Sequence, residues 1–474
     1  MPALTRCSIL IALLLVACPP TPPQDDTSTN PDSDPDPDLD DVVVLTNTAH
    51  GCVRFMDYSG AQLRAEVCFD ELLPEQCSGT QSNGWAVCQA FSVIYDRQSD
   101  PESLIMVFAR QAESDEDIRP GGVVAMDLSW PVQPKWRIHE VSLPESHAMH
   151  SACLDVHASL GPDGVPDIRS AEGECYTVFP HELAWMPGHE LLALSDTTLN
   201  RVIWFEPPTE GTVAQATAVL EPERTTEASD DRTLNCLEII EHDGRALLLN
   251  SFKTSTAPEA AGKDVGRLML WDVTDLDHLQ HVWTYPSEGH LAAVHGPSLW
   301  ETEVGLLLTY AHSSGASTAG ISERGTVGMA LASWDHPPVY LGDVLPPTDA
   351  LPEPMGFVRD VKLVRGELER MLVLDSGCET PFPSGCDRTA QLLELDVVLP
   401  DLTGMSGAFS ELHTDQSFSE VPMERSVMND GLLFPFEVQH LLAEDVGPGL
   451  RSFLDEGREW LSDDANPEDS GAGS

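Results

Sequence analysis

Two histidines head stretches of the same pattern. His181 opens HELAWMPGHELLALSD and His295 opens HGPSLWETEVGLLLTY. Other polar residues head three further stretches: Gln89 in QAFSVIYDRQSDPESLIMVFAR, Asn235 in NCLEIIEHDGRALLLNS and Arg359 in RDVKLVRGELERMLVLDS. A neutral imidazole is a competent nucleophile near neutral pH. Asn235, Arg359, Gln89 and the nearby Lys253 are donors that could hold the oxygens of an anionic group during its transfer. This makes His181 and His295 the candidate catalytic residues, and Gln89, Asn235, Lys253 and Arg359 the candidate substrate-binding residues. The competing explanation is structural, because a polar residue at a strand start often only satisfies backbone groups.

The elements that position these residues read as strands. Apolar side chains follow each head at two and four residues: Leu183 and Trp185, Leu237 and Ile239, Pro297 and Leu299, Val361 and Leu363, Phe91 and Val93. That is a period of two. A short turn and a denser apolar run come next, such as Leu247–Leu249 or Met371–Leu374. A third run then ends on an acid, as in Val202–Glu206, Leu268–Asp272 and Leu392–Asp396. From His181 onward the copies lie roughly 55 to 65 residues apart, a period typical of β-propeller blades. Val42–Asp57 reads as later strands of a blade lacking its first strand, which Gly431–Leu441 could supply. The expected fold is all-β: a six-bladed propeller over residues 42–445, closed by N- and C-terminal strands. A pair of β-sandwiches is the competing architecture. Helical signals are confined to Leu450–Leu461, a short amphipathic stretch within a C-terminal segment, 446–474, that ends in an acidic tail. In a propeller the first strands line the central channel, so the five heads should converge near one of its mouths.

PHELAWMPGHELLALSD resembles the HHD…LPNGN…LLL segment of the arylsulfotransferase-type propeller family, and NCLEIIEHDGRALLLNSFK resembles that family's N…DG…LLSxR segment. The resemblance covers two or three blades clearly and residues 86–397 loosely. It implies a six-bladed periplasmic propeller that moves a sulfuryl group between phenols through a covalent intermediate on a channel histidine, here His181 or His295. Three positions depart from the pattern. Pro180 stands where a second histidine is usual, Glu182 replaces an aspartate and Lys253 replaces an arginine. The alternative function is a non-catalytic propeller that binds a ligand or protein partner at the cell surface or in the periplasm.

The chain begins MPALTRCSILIALLLVAC, one arginine and an apolar run too short to span a bilayer stably. Small residues before Cys18 resemble the lipobox of bacterial lipoproteins, which implies removal of residues 1–18 and lipid on Cys18. Residues 19–41 are Pro, Asp, Thr and Ser with few apolar side chains, and read as a disordered acidic tether. Pro19 after the cysteine favours the outer membrane over inner-membrane retention. With 78 acidic against 25 basic residues the formal charge is −53, which disfavours nucleic acid and anionic surfaces as partners. The expected partners are therefore the membrane through the lipid, and an aryl sulfate or a protein.

Cysteine usage fits export. Cys378 and Cys386 bracket a Pro-rich loop and could close a short disulfide; Cys153 and Cys175 flank another irregular segment. Cys52, Cys68, Cys77 and Cys88 could form two bridges of undetermined pairing, which leaves Cys236 over. No CxxC pair suggests zinc. His147, His150 and His157, and the DG turn bearing Asp163 and Asp167, read as solvent-facing segments and not as metal sites. No Gly-rich phosphate loop or GxSxG elbow is present, and the sequence calls for no cofactor.

Overall fold

The computed structural model describes residues 41–464 except for 59–62, 80–85, 111–120, 130–132, 139, 143–179, 197–200, 209, 212, 222–232, 254–265, 287–293, 303–304, 313–325, 335, 345–357, 365–369, 377–389, 397–422 and 429–434. Six antiparallel sheets form the six blades of a β-propeller, as the repeat spacing predicts. From the axis outward, blade 1 is Pro435–Leu441, Val42–Asn47, Cys52–Asp57 and Leu63–Cys68. Blade 2 is Cys88–Asp96, Ser103–Arg110, Gly122–Asp127 and Gln133–Ile138. Blade 3 is Pro180–Trp185, Leu192–Asp196, Arg201–Phe205 and Val213–Leu220, with Glu140–Ser142 added in parallel at its outer edge. Blade 4 is Thr233–His242, Arg245–Lys253, Arg267–Asp272 and Gln280–Tyr285. Blade 5 is Val294–Thr302, Gly305–His312, Thr326–Ser333 and His336–Val344. Blade 6 is Val358–Leu363, Arg370–Asp375, Gln391–Asp396 and Met423–Met428.

Closure occurs in blade 1. The C-terminal strand pairs antiparallel with Val42–Asn47, with Val42 opposite Leu441 and Val44 opposite Gln439. The core is a series of apolar interfaces between successive blades. Leu183 and Phe205 of blade 3 pack with Ile105 and Val123 of blade 2. Leu248 and Trp271 of blade 4 meet Trp204 of blade 3, and Leu308 and Tyr310 of blade 5 meet Leu249 and Trp283 of blade 4. No blade can bury both faces alone, so each depends on its neighbours for that burial.

Two short helices, α1 (Phe69–Leu72) and α2 (Pro74–Cys77), link blade 1 to blade 2. The N-terminal cysteines pair as Cys52–Cys68, across the two outer strands of blade 1, and Cys77–Cys88, which ties α2 to the inner strand of blade 2. Cys236 carries a buried free thiol. Helix α3 (Pro448–Asp464) starts slightly before the expected stretch and packs on blade 1, where Phe453 meets Phe55 edge to face at 5.5 Å. Near its start, Leu450 N donates to the Glu102 carboxylate at 3.0 Å, so an acid faces the positive end of the helix. Cys18, Cys153, Cys175, Cys378, Cys386, Asp163, Asp167 and the histidines 147, 150 and 157 lie outside the described residues.

Candidate functional site at the propeller axis

All six inner strands share one irregularity. Each carries one more residue than its neighbouring strand across the same interval: Pro180 to Leu183 opposes Asp196 to Leu194, and Leu234 to Leu237 opposes Phe252 to Asn250. The same slip recurs in blades 1, 2, 5 and 6. These are β-bulges, which kink a strand and re-aim its side chains. Serines on the second strands satisfy two of them: Ser195 Oγ accepts from Glu182 N at 2.8 Å, and Ser251 Oγ accepts from Cys236 N at 3.1 Å. The serines that end LLALS and LLLNS are thus bulge-holding residues in blades 3 and 4.

Aligning the bulges places Phe91, His181, Asn235, Pro297, Arg359 and Phe436 at one level. This corrects the repeat alignment in blades 2 and 5. Gln89 and His295 share a level with each other, two residues before that of His181, Asn235 and Arg359. A slip of two residues leaves the apolar/polar alternation unchanged, so periodicity could not detect it.

His181 is 2% exposed and packs against two aromatic rings, Phe91 at 5.2 Å and Phe436 at 4.6 Å between centroids. Arg359 reaches the same group, its guanidinium 5.5 Å from the Phe436 ring centre, and its Nε donates to Ser376 Oγ at 3.4 Å. The structure therefore brings His181 and Arg359 together around Phe436. His295 and Gln89 are also buried. Asn235 lies in the bulge of blade 4, and Lys253 ends the second strand of that blade opposite Thr233; the placement of their side chains is not described.

The next residue of each inner strand forms a ring: Ser92, Glu182, Cys236, Ser298, Asp360 and Glu437, all buried. These side chains hydrogen-bond from blade to blade. Ser92 Oγ accepts from Leu183 N at 3.3 Å, Glu182 from Leu237 N at 2.7 Å, Asp360 from Val438 N at 2.9 Å, and Glu437 from Val93 N at 3.3 Å. Between blades 4 and 5, Glu238 accepts from Leu299 N at 2.9 Å and Cys236 Sγ accepts from Gly296 N at 3.3 Å. Gly296 has φ +38°, and a Cβ there would lie 2.2 Å from Asp360 Oδ1, so only glycine allows this approach.

Burial pushes the Glu182, Glu238 and Asp360 carboxyls above the usual carboxylate range and Glu437 up to about 7. Lys362, its Nζ 3.8 Å from Asp360 Oδ1, is held charged against its own desolvation by Asp360, Glu238, Glu182 and Glu437. The Cys236 thiol is pushed well up by burial and then by Glu182, with which it shares a hydrogen bond. One ligand atom each from His181, Glu182 and Cys236 lie within 4.8 Å of one another. The sequence reading missed Glu182 as an acceptor, took Cys236 only as the cysteine left over, and missed Asp360, Lys362 and Glu437 as site residues. The available signal was a second polar residue directly after the head in blades 3 and 6. At the rim, a groove of about 470 Å³ is lined by Leu73, Pro74 and Glu75 together with Pro134, Trp136 and Arg137 of blade 2.

No family model and no curated protein matches the chain. Similar solved structures include the Pseudomonas aeruginosa periplasmic gluconolactonase, at 12% identity and TM-score 0.42, covering 85% of this chain and 99% of that one. The Kuenenia stuttgartiensis hydrazine synthase is similar at 12% identity and TM-score 0.44, covering 82% of this chain and 83% of that one. The Dos1 propeller is similar at 9% identity and TM-score 0.40, covering 76% of this chain and 69% of that one.

Proposed function

We propose that this chain is an exported propeller, lipid-anchored through Cys18 at the outer membrane, that binds a partner with its outer surface and uses its axis to join the blades. One observation carries the reading: the His181 imidazole is 2% exposed between Phe91 and Phe436. In-line attack on a sulfuryl donor needs that group to reach the imidazole nitrogen, and the imidazole is buried against the two rings. The carboxyls beside it are engaged with backbone N–H groups of neighbouring blades. A formal charge of −53 favours a cationic partner, and the rim groove beside Trp136 offers apolar contact to it.

The second reading is the sulfuryl transferase, favoured by the Arg359 guanidinium, which shares Phe436 with His181. Incubating the full chain with 4-nitrophenyl sulfate and a phenol acceptor separates the two. The binding reading expects no turnover. Turnover that His181→Ala abolishes, with the thermal unfolding profile unchanged, would establish the transferase instead. Cys18→Ser should release the protein from the membrane fraction, and unchanged fractionation would remove the lipid anchor.

A further inference from the structure

We propose that His181, Glu182 and Cys236 form a binding site for a divalent cation of the zinc class, clamping blade 3 to blade 4 at the axis. The geometry begins with the bulge. Consecutive residues of a regular strand point to opposite faces. The bulge in blade 3 instead lets the neighbours His181 and Glu182 both reach one point, where Cys236 arrives from the bulge of blade 4. All three are buried. Their ligand atoms lie within 4.8 Å of one another. Tetrahedral zinc, with bonds near 2.0–2.3 Å, places its ligands about 3.5 Å apart. Small side-chain movements close that difference.

The donor set agrees with the cation. Imidazole nitrogen, carboxylate oxygen and thiolate sulfur together suit zinc and its neighbours better than calcium or magnesium, which take oxygen. The surroundings agree as well. Four carboxyls, Glu182, Glu238, Asp360 and Glu437, face one ammonium, Lys362, so the cluster is short of positive charge. The Cys236 thiol now shares a hydrogen bond with Glu182. On binding, the S–H proton and any proton held on the Glu182 carboxyl leave to solvent, the sulfur bonds to the metal and a Glu182 oxygen takes a neighbouring position, so the cation replaces the protons of this pair. The other Glu182 oxygen keeps the Leu237 N–H. Glu238 and Lys362, two residues further along their strands from Cys236 and Asp360, are partly exposed polar residues beside the buried set.

The probe is Co2+, added to the full chain after dialysis against a chelator. A thiolate-to-cobalt charge-transfer band should appear and saturate at one equivalent, and Zn2+ should bleach it and raise the melting temperature. Cys236→Ser should remove the band. His181→Phe, which keeps an aromatic ring between Phe91 and Phe436, should weaken binding at least about tenfold while the metal-free melting temperature holds. Two results overturn the proposal. One is cobalt bound without a thiolate band, as at the His242, Asp243 and Glu301 group, whose two carboxylates are exposed. The other is a band that survives both substitutions, which would assign it to other thiols.

Discussion

Carboxylates at the axis and at the rim do different work. At the rim, Asp272 closes the third strand of blade 4, where it accepts from Thr274 N at 3.1 Å and Thr274 Oγ1 at 2.6 Å and pairs with Arg245. Desolvation is the largest single influence and raises its pKa, but those bonds and the Arg245 charge together hold it below the usual carboxylate range. At the axis, Glu182, Asp360 and Glu437 lie among apolar interfaces and stand above that range. The rim acid is used as a charge. The axis acids are used as acceptors whose reach spans two blades, and they keep that role at the cost of desolvation. Apolar packing between blades is non-directional, whereas an acceptor aimed at one N–H fixes which strand levels meet.

Substitutions test this difference. The largest effect is expected from Asp360→Ala, which orphans the Val438 and Val361 N–H groups and leaves Lys362 without its nearest counter-charge. It should cost about 3–5 kcal/mol in denaturant unfolding. A loss below 1 kcal/mol would show that the axis acids do not join the blades.

A smaller effect concerns pH, measured on metal-free protein. Glu437 ionises near 4.5 when unfolded and at about 7 when folded. Its contribution is complete below pH 4.5 and is lost as pH rises to about 7, because the unfolded state releases the proton first. Glu437→Gln should flatten the stability profile across that window. Asp272 has the opposite sign: its contribution is present above its unfolded pKa and is lost as pH falls through the lower folded one. An unchanged slope in Glu437→Gln would assign the pH dependence to other groups.

The smallest effect is expected at the rim, where Asp272→Asn should change stability by no more than about 1 kcal/mol. A cost matching that of Asp360→Ala would erase the distinction between the two regions.

The fold was legible in the sequence because alternation and blade spacing are properties of single strands and their order. Val42–Asn47 lacked an inner partner in its own neighbourhood, and this pointed to the C-terminal strand that now pairs with it. The level of each head residue was not legible. Gln89 and His295 fit the period as well as Phe91 and Pro297 do, and only the pairing with the second strand locates the bulge. The axial ring was hidden for a related reason. Cys236 and Glu182 lie 54 residues apart, and their contact arises from how blade 4 packs on blade 3. The N-terminal bridges needed the same information, since the Cys52–Cys68 pair follows from strand register and not from spacing.

The pairing of Val42–Asn47 with Pro435–Leu441 also sets an order of events. The outer three strands of blade 1 are synthesised before the other described blades, and the strand that completes the blade comes after all of them. Until it arrives, Val42–Asn47 offers a row of unpaired N–H and C=O groups along a strand of valine and leucine, an edge that invites pairing with other chains. The ring therefore passes through an open, adhesive stage that ends only with its final strand. A chain interrupted before Pro435 would remain in that stage.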